Sequence, residues 1–245
     1  MCICSALTAI VLIDPLPLDE RGDAVLAATV LLLRDSSDGL EILLLKRNPD
    51  AQHMGDIWLF PGGKVDAEDL GKTETETAMN AAVREVREEA AIVLSPAELV
   101  GFSHWLTPAG MKRRFATWFF VAELPEGAVV RVDGEEMVEA RWVQPRKAVE
   151  EHLAGELRLP PPTVVSLLDL SEYHSVEAVF ISAQARIQPY FFPKICAVGD
   201  EAVMLYPGDA GYLDGDRHVE GARHRASWNN GVIDYARSFD FPNRA

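Results

Sequence analysis

Three carboxylates, Glu85, Glu88 and Glu89, stand within the run Arg84, Glu85, Val86, Arg87, Glu88, Glu89. On a helix, where each residue advances about 100°, Glu88 falls roughly 60° to one side of Glu85 and Glu89 roughly 40° to the other. All three therefore share one face. Like charges spaced in this way repel one another even in water, and a divalent cation is the usual compensation. Oxygen ligands with no His or Cys nearby suit Mg²⁺, Mn²⁺ or Ca²⁺ rather than zinc. The plainer alternative is a solvated Glu-rich helix face. Arg84 can neutralise these carboxylates, and Glu76 forms a T-x-x-E capping box with Thr73 at the start of the same helix.

The elements around this face must place it. From Thr73 to Ala90 the apolar positions Met79, Ala82, Val83, Val86 and Ala90 recur at helical spacing with no Gly or Pro between them, which predicts one amphipathic helix. Upstream, Ala24 to Arg34 and Leu40 to Arg47 read as a core hairpin, and Trp58 to Phe60 as a strand stopped by Pro61, Gly62 and Gly63. Downstream, Leu99 to Leu106, Phe115 to Leu124 and Ala140 to Val143 read as strands, and Pro145 to Ala154 as a helix stopped by Gly155. The run Pro160, Pro161, Pro162 marks a boundary. Beyond it Thr163 to Leu170 and Val176 to Ile187 are expected to be helical and Val203 to Tyr206 a strand, while the tail from Arg217 onward shows no period. Tyr190, Phe191, Phe192 and Tyr212 offer this region apolar surface, for packing or for a long substrate arm.

Composition narrows the functional classes. The chain has 245 residues and a net charge of −15, so it repels polyanions, and nucleic-acid binding is not expected. An anionic substrate would need a local basic patch or bridging cations. Cys2, Cys4 and Cys196 form no disulfide pattern, and the apolar run Ala6 to Ile13 is far short of the ~20 residues of a membrane helix. A reducing, cytoplasmic setting and no membrane association are expected.

Glu76 to Glu89, read as E-x7-R-E-V-x-E-E behind Pro61, Gly62 and Gly63, resembles the signature of the Nudix hydrolase superfamily. Twelve residues separate Gly63 from Glu76 where that signature has five, which reads as a seven-residue insertion within Val65 to Lys72. Ala91 stands where the signature has Gly. The resemblance covers roughly Ala24 to Glu151. It implies an α/β fold, an α/β/α sandwich with a mixed sheet, here followed by a mainly helical C-terminal extension. Residues 1–159 would form the hydrolase domain with an N-terminal arm, and residues 160–245 a helical and irregular extension packed on it. It further implies that Glu85, Glu88 and Glu89 hold Mg²⁺ or Mn²⁺ beside the Gly63 carbonyl, with Glu88 and Arg84 in the catalytic group, while water attacks phosphorus in a diphosphate. Family members often draw a base from a downstream loop. Glu135, Glu136 and Glu139 are the candidates, and Glu136 is favoured.

The segment LLLKRNPDAQHMGDIWLFPGG resembles the motif of coenzyme A diphosphatases, with Gln52 in place of its second arginine. HWLTPAGMKRRFATWFF resembles the corresponding part of the longer acyl-coenzyme A members. On that resemblance Arg47, Phe60, Gly62, Thr107, Arg113 and Arg114 are expected to bind a small nucleotide substrate. Lys112, Arg113 and Arg114 are also the densest basic cluster, in a stretch without acids from Val100 to Ala122. Pro108, sixteen residues beyond Ile92, is shared with ADP-ribose hydrolases and gives the rival reading. A third reading is a non-catalytic nucleotide sensor of the same fold. The tail around His218 and His224 offers a phosphate contact or a homodimer contact.

Overall fold

Two strands buried on both faces organise the molecule. In the computed structural model, which describes residues 21–51, 54–198 and 201–244, β1 (Val25–Ser36) and β2 (Gly39–Arg47) form the expected antiparallel hairpin. Successive side chains of a strand point to opposite faces. Ala28, Val30 and Leu32 therefore enter one core with Leu43 and Leu45, and Leu31 and Leu33 enter another with Ile42 and Leu44. The Ala6 to Ile13 arm and Gln52 lie outside the described residues.

The sheet runs β3 (Trp58–Leu59), β2, β1, β6 (Phe115–Glu123), β5 (Val100–Leu106), β8 (Tyr190–Phe191), with β4 (Gly62–Lys64) also paired to β1 and β7 (Met137–Val143) to β2. It is mixed: β1 runs parallel to β6 and antiparallel to β2 and β4. The helix α1 (Glu74–Ala90) covers one face, where Ala78, Ala82 and Val86 are fully buried against Ala28 and Phe120. Small side chains let this helix lie close to the strands. The other face is covered by α2 (Pro145–Leu153), α3 (Pro161–Leu170) and α4 (Val176–Ala185). This is the expected α/β/α sandwich. No described helix is long and apolar enough to cross a membrane.

The extension differs from its expected mainly helical character. It contains α3 and α4, but also an antiparallel sheet of β9 (Lys194–Val198), β10 (Glu201–Leu205), β11 (His224–Asn229) and β12 (Val232–Arg237). Strands of five or six residues with polar groups on the outer face leave little period to read, and Arg225 and Asp209 pair at 2.6 Å in this region. One core runs from Leu31 and Phe119 through Val164 to Tyr206 and Ile233, and β8 joins the main sheet beside β5. Tyr190, Phe191 and Phe192 are buried packing residues, and His224 is wholly buried in the second sheet rather than poised for phosphate.

Thr73 caps α1, its hydroxyl accepting the Glu76 N–H at 3.1 Å. At the other end Ala91 adopts the left-handed conformation, φ 56°, with its N–H donating to the Arg87 carbonyl. A side chain there is strained, so Ala91→Gly is expected to raise stability by about 0.5 to 1 kcal/mol. A denaturation midpoint that falls would show that the Ala91 methyl contributes packing that outweighs the strain.

Candidate active site

Pairing of β4 with β1 sets Gly62 opposite Thr29 and Gly63 opposite Ala28, and α1 passes directly over this pair of glycines. Any Cβ on Gly62 would stand 2.4 Å from the Ala28 carbonyl oxygen, and one on Gly63 would stand 2.2 Å from Glu85 Oε1. Backbone atoms therefore exclude any side chain at Gly62, while a side chain at Gly63 would displace the Glu85 carboxylate. The Gly62 N–H donates to Glu89 Oε2 at 2.8 Å, so this amide is engaged by a glutamate rather than open to substrate.

Arg84 holds the other two carboxylates. Its Nη1 donates to Glu85 at 3.0 Å and Glu88 at 2.9 Å, its Nη2 to the Lys64 carbonyl and Asp69 at 2.9 Å, and its Nε to Asp69 at 3.0 Å. A guanidinium has five N–H donors, and all five are used. Arg84, expected from the sequence in the catalytic group, thus spends every donor on Glu85, Glu88, Asp69 and the Lys64 carbonyl. Asp69 is 3% exposed. Burial alone would raise its pKa, but Arg84 and the Asp66 N–H hold it below the usual value.

Asp69 was not among the sequence candidates, and it relocates the insertion. It follows Gly63 after five residues, the spacing of the family signature, so the extra residues fall between Asp69 and Arg84, around the start of α1. Glu76 makes no bond to Arg84. It accepts the Lys72 N–H at 2.7 Å and belongs to the cap. The signal was the Gly63 spacing itself, which the match at Glu76 obscured.

Burial pushes the pKa of both Glu85 and Glu89 up, Glu89 to about 8. Arg84 opposes this at Glu85 and the Gly62 N–H opposes it at Glu89, while the charge of Glu136 adds to it at both. Among the described residues, no three acidic, His or Cys side chains converge closely enough to enclose an ion as placed. Each glutamate turns instead to a nearby donor. The donor set still fits a hard divalent cation: three carboxylates on one helix face, two of them desolvated, beside a strand whose glycines leave room.

Glu136 lies on the turn before β7, where the Asp133 carboxylate accepts the Glu135 and Glu136 N–H groups at 2.6 Å. Its carboxylate accepts a bond from Arg47 Nη2 at 2.7 Å. Arg47 ends β2 and its buried Nε has no partner. Glu139 faces away, paired in register with Lys46. Arg47 and Glu136 are thus brought together near the three glutamates.

The remaining candidates are not gathered there. Phe60 is 2% exposed and packs inside the core. The Thr107 hydroxyl accepts the Phe115 N–H at 3.0 Å and closes the β5–β6 connection. Arg114 donates to the Thr107 and Arg21 carbonyls, while Lys112 and Arg113 are exposed. Through β1, Gly63 shares a row with Trp118, and Phe115 is three residues before it. Two strand spacings and three residues place the start of β6 roughly 14 Å from Gly63.

The NUDIX domain model matches residues 24–163. The chain is 27% identical over 209 residues to "Putative nudix hydrolase 7" of Caenorhabditis elegans, covering 71% of this chain and 70% of that protein. It is 34% identical over 127 residues to "Acyl-coenzyme A diphosphatase NUDT19" of Homo sapiens, covering 50% of this chain but only 34% of the human protein. A crystal structure of a NUDIX hydrolase from Alicyclobacillus acidocaldarius superposes with a TM-score of 0.60 at 21% identity, over 65% of this chain and 96% of that one.

Proposed function

The chain belongs to the Nudix family of phosphoanhydride hydrolases, and on that premise we propose that it cleaves the diphosphate of coenzyme A or an acyl-coenzyme A. The products are 3′,5′-ADP and 4′-phosphopantetheine or its acyl form. The observation that carries the hydrolytic part is the placement of Glu85 and Glu89 against Gly63 and Gly62, with Glu88 held on the same helix face by Arg84. Support for the substrate comes from the motif leading to Pro61, from the TP and RRF segments, and from the likeness to an acyl-coenzyme A diphosphatase.

Glu85, Glu88 and Glu89 would hold Mg²⁺ or Mn²⁺. Such a cation neutralises diphosphate oxygens and lowers the pKa of the attacking water. Arg84, fixed by Asp69, keeps Glu85 and Glu88 in place. Arg47 sits close enough to add positive charge beside the diphosphate, and Glu136 accepts the proton of the attacking water. Lys112 and Arg113 lie too far away for the same phosphates, and they hold the 3′-phosphate or another distal part of a long substrate. This local positive charge offsets the −15 of the whole chain. Its cysteine usage suits a cytoplasmic setting.

A Lys112→Ala, Arg113→Ala double variant is expected to raise KM for coenzyme A about tenfold with kcat nearly unchanged, because binding common to ground and transition states is lost. A fall in kcat with constant KM would assign the cluster another role. Initial rates in a mixture of coenzyme A, acetyl-coenzyme A and ADP-ribose test the substrate directly. The coenzyme A species should be consumed first, and preferential loss of ADP-ribose with release of AMP would make the rival reading correct.

A further inference from the structure

On the sheet face away from α1, a cavity of about 270 Å³ opens between β5, α3, the end of β12 and the C-terminal segment. Phe102, Phe191 and Phe241 give it aromatic walls. Main-chain bonds fix the segment that carries Phe241: the Ile187 N–H donates to the Pro242 carbonyl at 2.8 Å, and the Arg244 N–H to the Ala185 carbonyl at 2.7 Å. Two of these rings already meet cations. Arg237 lies 4.0 Å over Phe241, and Arg186, buried and outside the lining, lies 4.3 Å over Phe102.

The lining is negative. It holds the carboxylates of Asp169, Glu172 and Asp240 and the single guanidinium of Arg237. Asp169 accepts a bond from Arg186 Nη1 at 2.6 Å and lies 3.9 Å from Arg237, so its charge is offset. Glu172 and Asp240 are exposed and pair with no basic side chain among the described residues. Even with Arg186 counted, three carboxylates outnumber two guanidinium groups, and the −15 of the whole chain adds to the field. The Tyr235 hydroxyl, which also lines the cavity, is buried without a hydrogen-bond partner and offers a further acceptor oxygen. These groups suit a ligand with one positive charge and N–H donors at one end and a flat or apolar body among the rings at the other. Anions, nucleotides included, are repelled. We propose that this cavity is a second ligand site, separate from the glutamate cluster, for a small organic ammonium ion.

The probe is benzylamine, protonated at neutral pH, with benzyl alcohol and benzoate as neutral and negative controls of like shape. Each is titrated into the full chain by calorimetry at physiological salt. Benzylamine should bind saturably, one per chain, with benzyl alcohol roughly tenfold weaker and benzoate not bound. A Glu172→Gln, Asp240→Asn double variant changes only exposed positions, so it should melt with the parent. It should bind benzylamine roughly tenfold more weakly, while its affinity for benzyl alcohol stays level. No saturable binding of benzylamine, benzoate bound as tightly as benzylamine, or undiminished benzylamine affinity in the double variant would overturn the proposal. Loss or retention of coenzyme A hydrolysis bears only on the function proposed above.

Discussion

Glu89→Gln is expected to lower kcat by roughly 10² or more at saturating Mg²⁺, the scale of losing one group that stabilises the transition state. The same substitution should stabilise the metal-free protein at alkaline pH. In the fold Glu89 is 4% exposed, and its pKa is pushed up to about 8 from 4.5, first by burial. A carboxyl raised in this way favours the folded state in its protonated form. Its contribution is complete below pH 4.5 and is lost as pH rises through 8, at a cost approaching roughly 4 kcal/mol. Glutamine keeps the Gly62 contact and carries no charge at any pH. In chelator, the parent should therefore lose stability between pH 5 and 9 while the variant stays nearly level, and Mg²⁺ should restore the parent alone. Near-normal turnover, or parallel pH profiles, would remove Glu89 from the cation site.

Asp69→Asn is expected to be the most damaging change outside the glutamates. It leaves the buried guanidinium of Arg84 without its counter-charge, and breaking a buried pair from one side costs about 3 to 5 kcal/mol. Since Arg84 also holds Glu85 and Glu88, the apparent Mg²⁺ affinity should fall by roughly 10- to 100-fold, the range seen when a ligand's supporting partner is removed. Asp69→Glu should recover part of both losses. Glu76→Gln, which touches only the helix cap, should cost about 1 kcal/mol or less and leave metal affinity unchanged. Urea unfolding and metal titration of the three variants decide the point. Larger losses in Glu76→Gln than in Asp69→Asn would show that Glu76, not Asp69, supports Arg84 and the cation site.

The sandwich and the glutamate face were legible because their signals are local. Period-2 burial on both faces of β1 and β2, and helical spacing from Met79 to Ala90, depend only on neighbours in the chain. Asp69 was not legible in the same way, since its importance arises from Arg84 fifteen residues later and from a lengthened helix start between them. Phe60 sits beside the glycines in sequence, yet strand alternation turns its ring into the core, away from the glutamate face. The second sheet escaped for another reason. Its core positions, such as Met204, Ala226 and Ile233, are separated by polar residues that satisfy one another only after folding, as Arg225 and Asp209 do.

The central claim is hydrolysis of a coenzyme A diphosphate at the Glu85, Glu88 and Glu89 site. Its most direct measurement is product identification by mass spectrometry after incubating the purified chain with coenzyme A, once with Mg²⁺ and once with chelator. The account predicts 3′,5′-ADP and 4′-phosphopantetheine in equal amounts, formed only with Mg²⁺. Intact coenzyme A under both conditions, or products unaffected by the chelator, would contradict it.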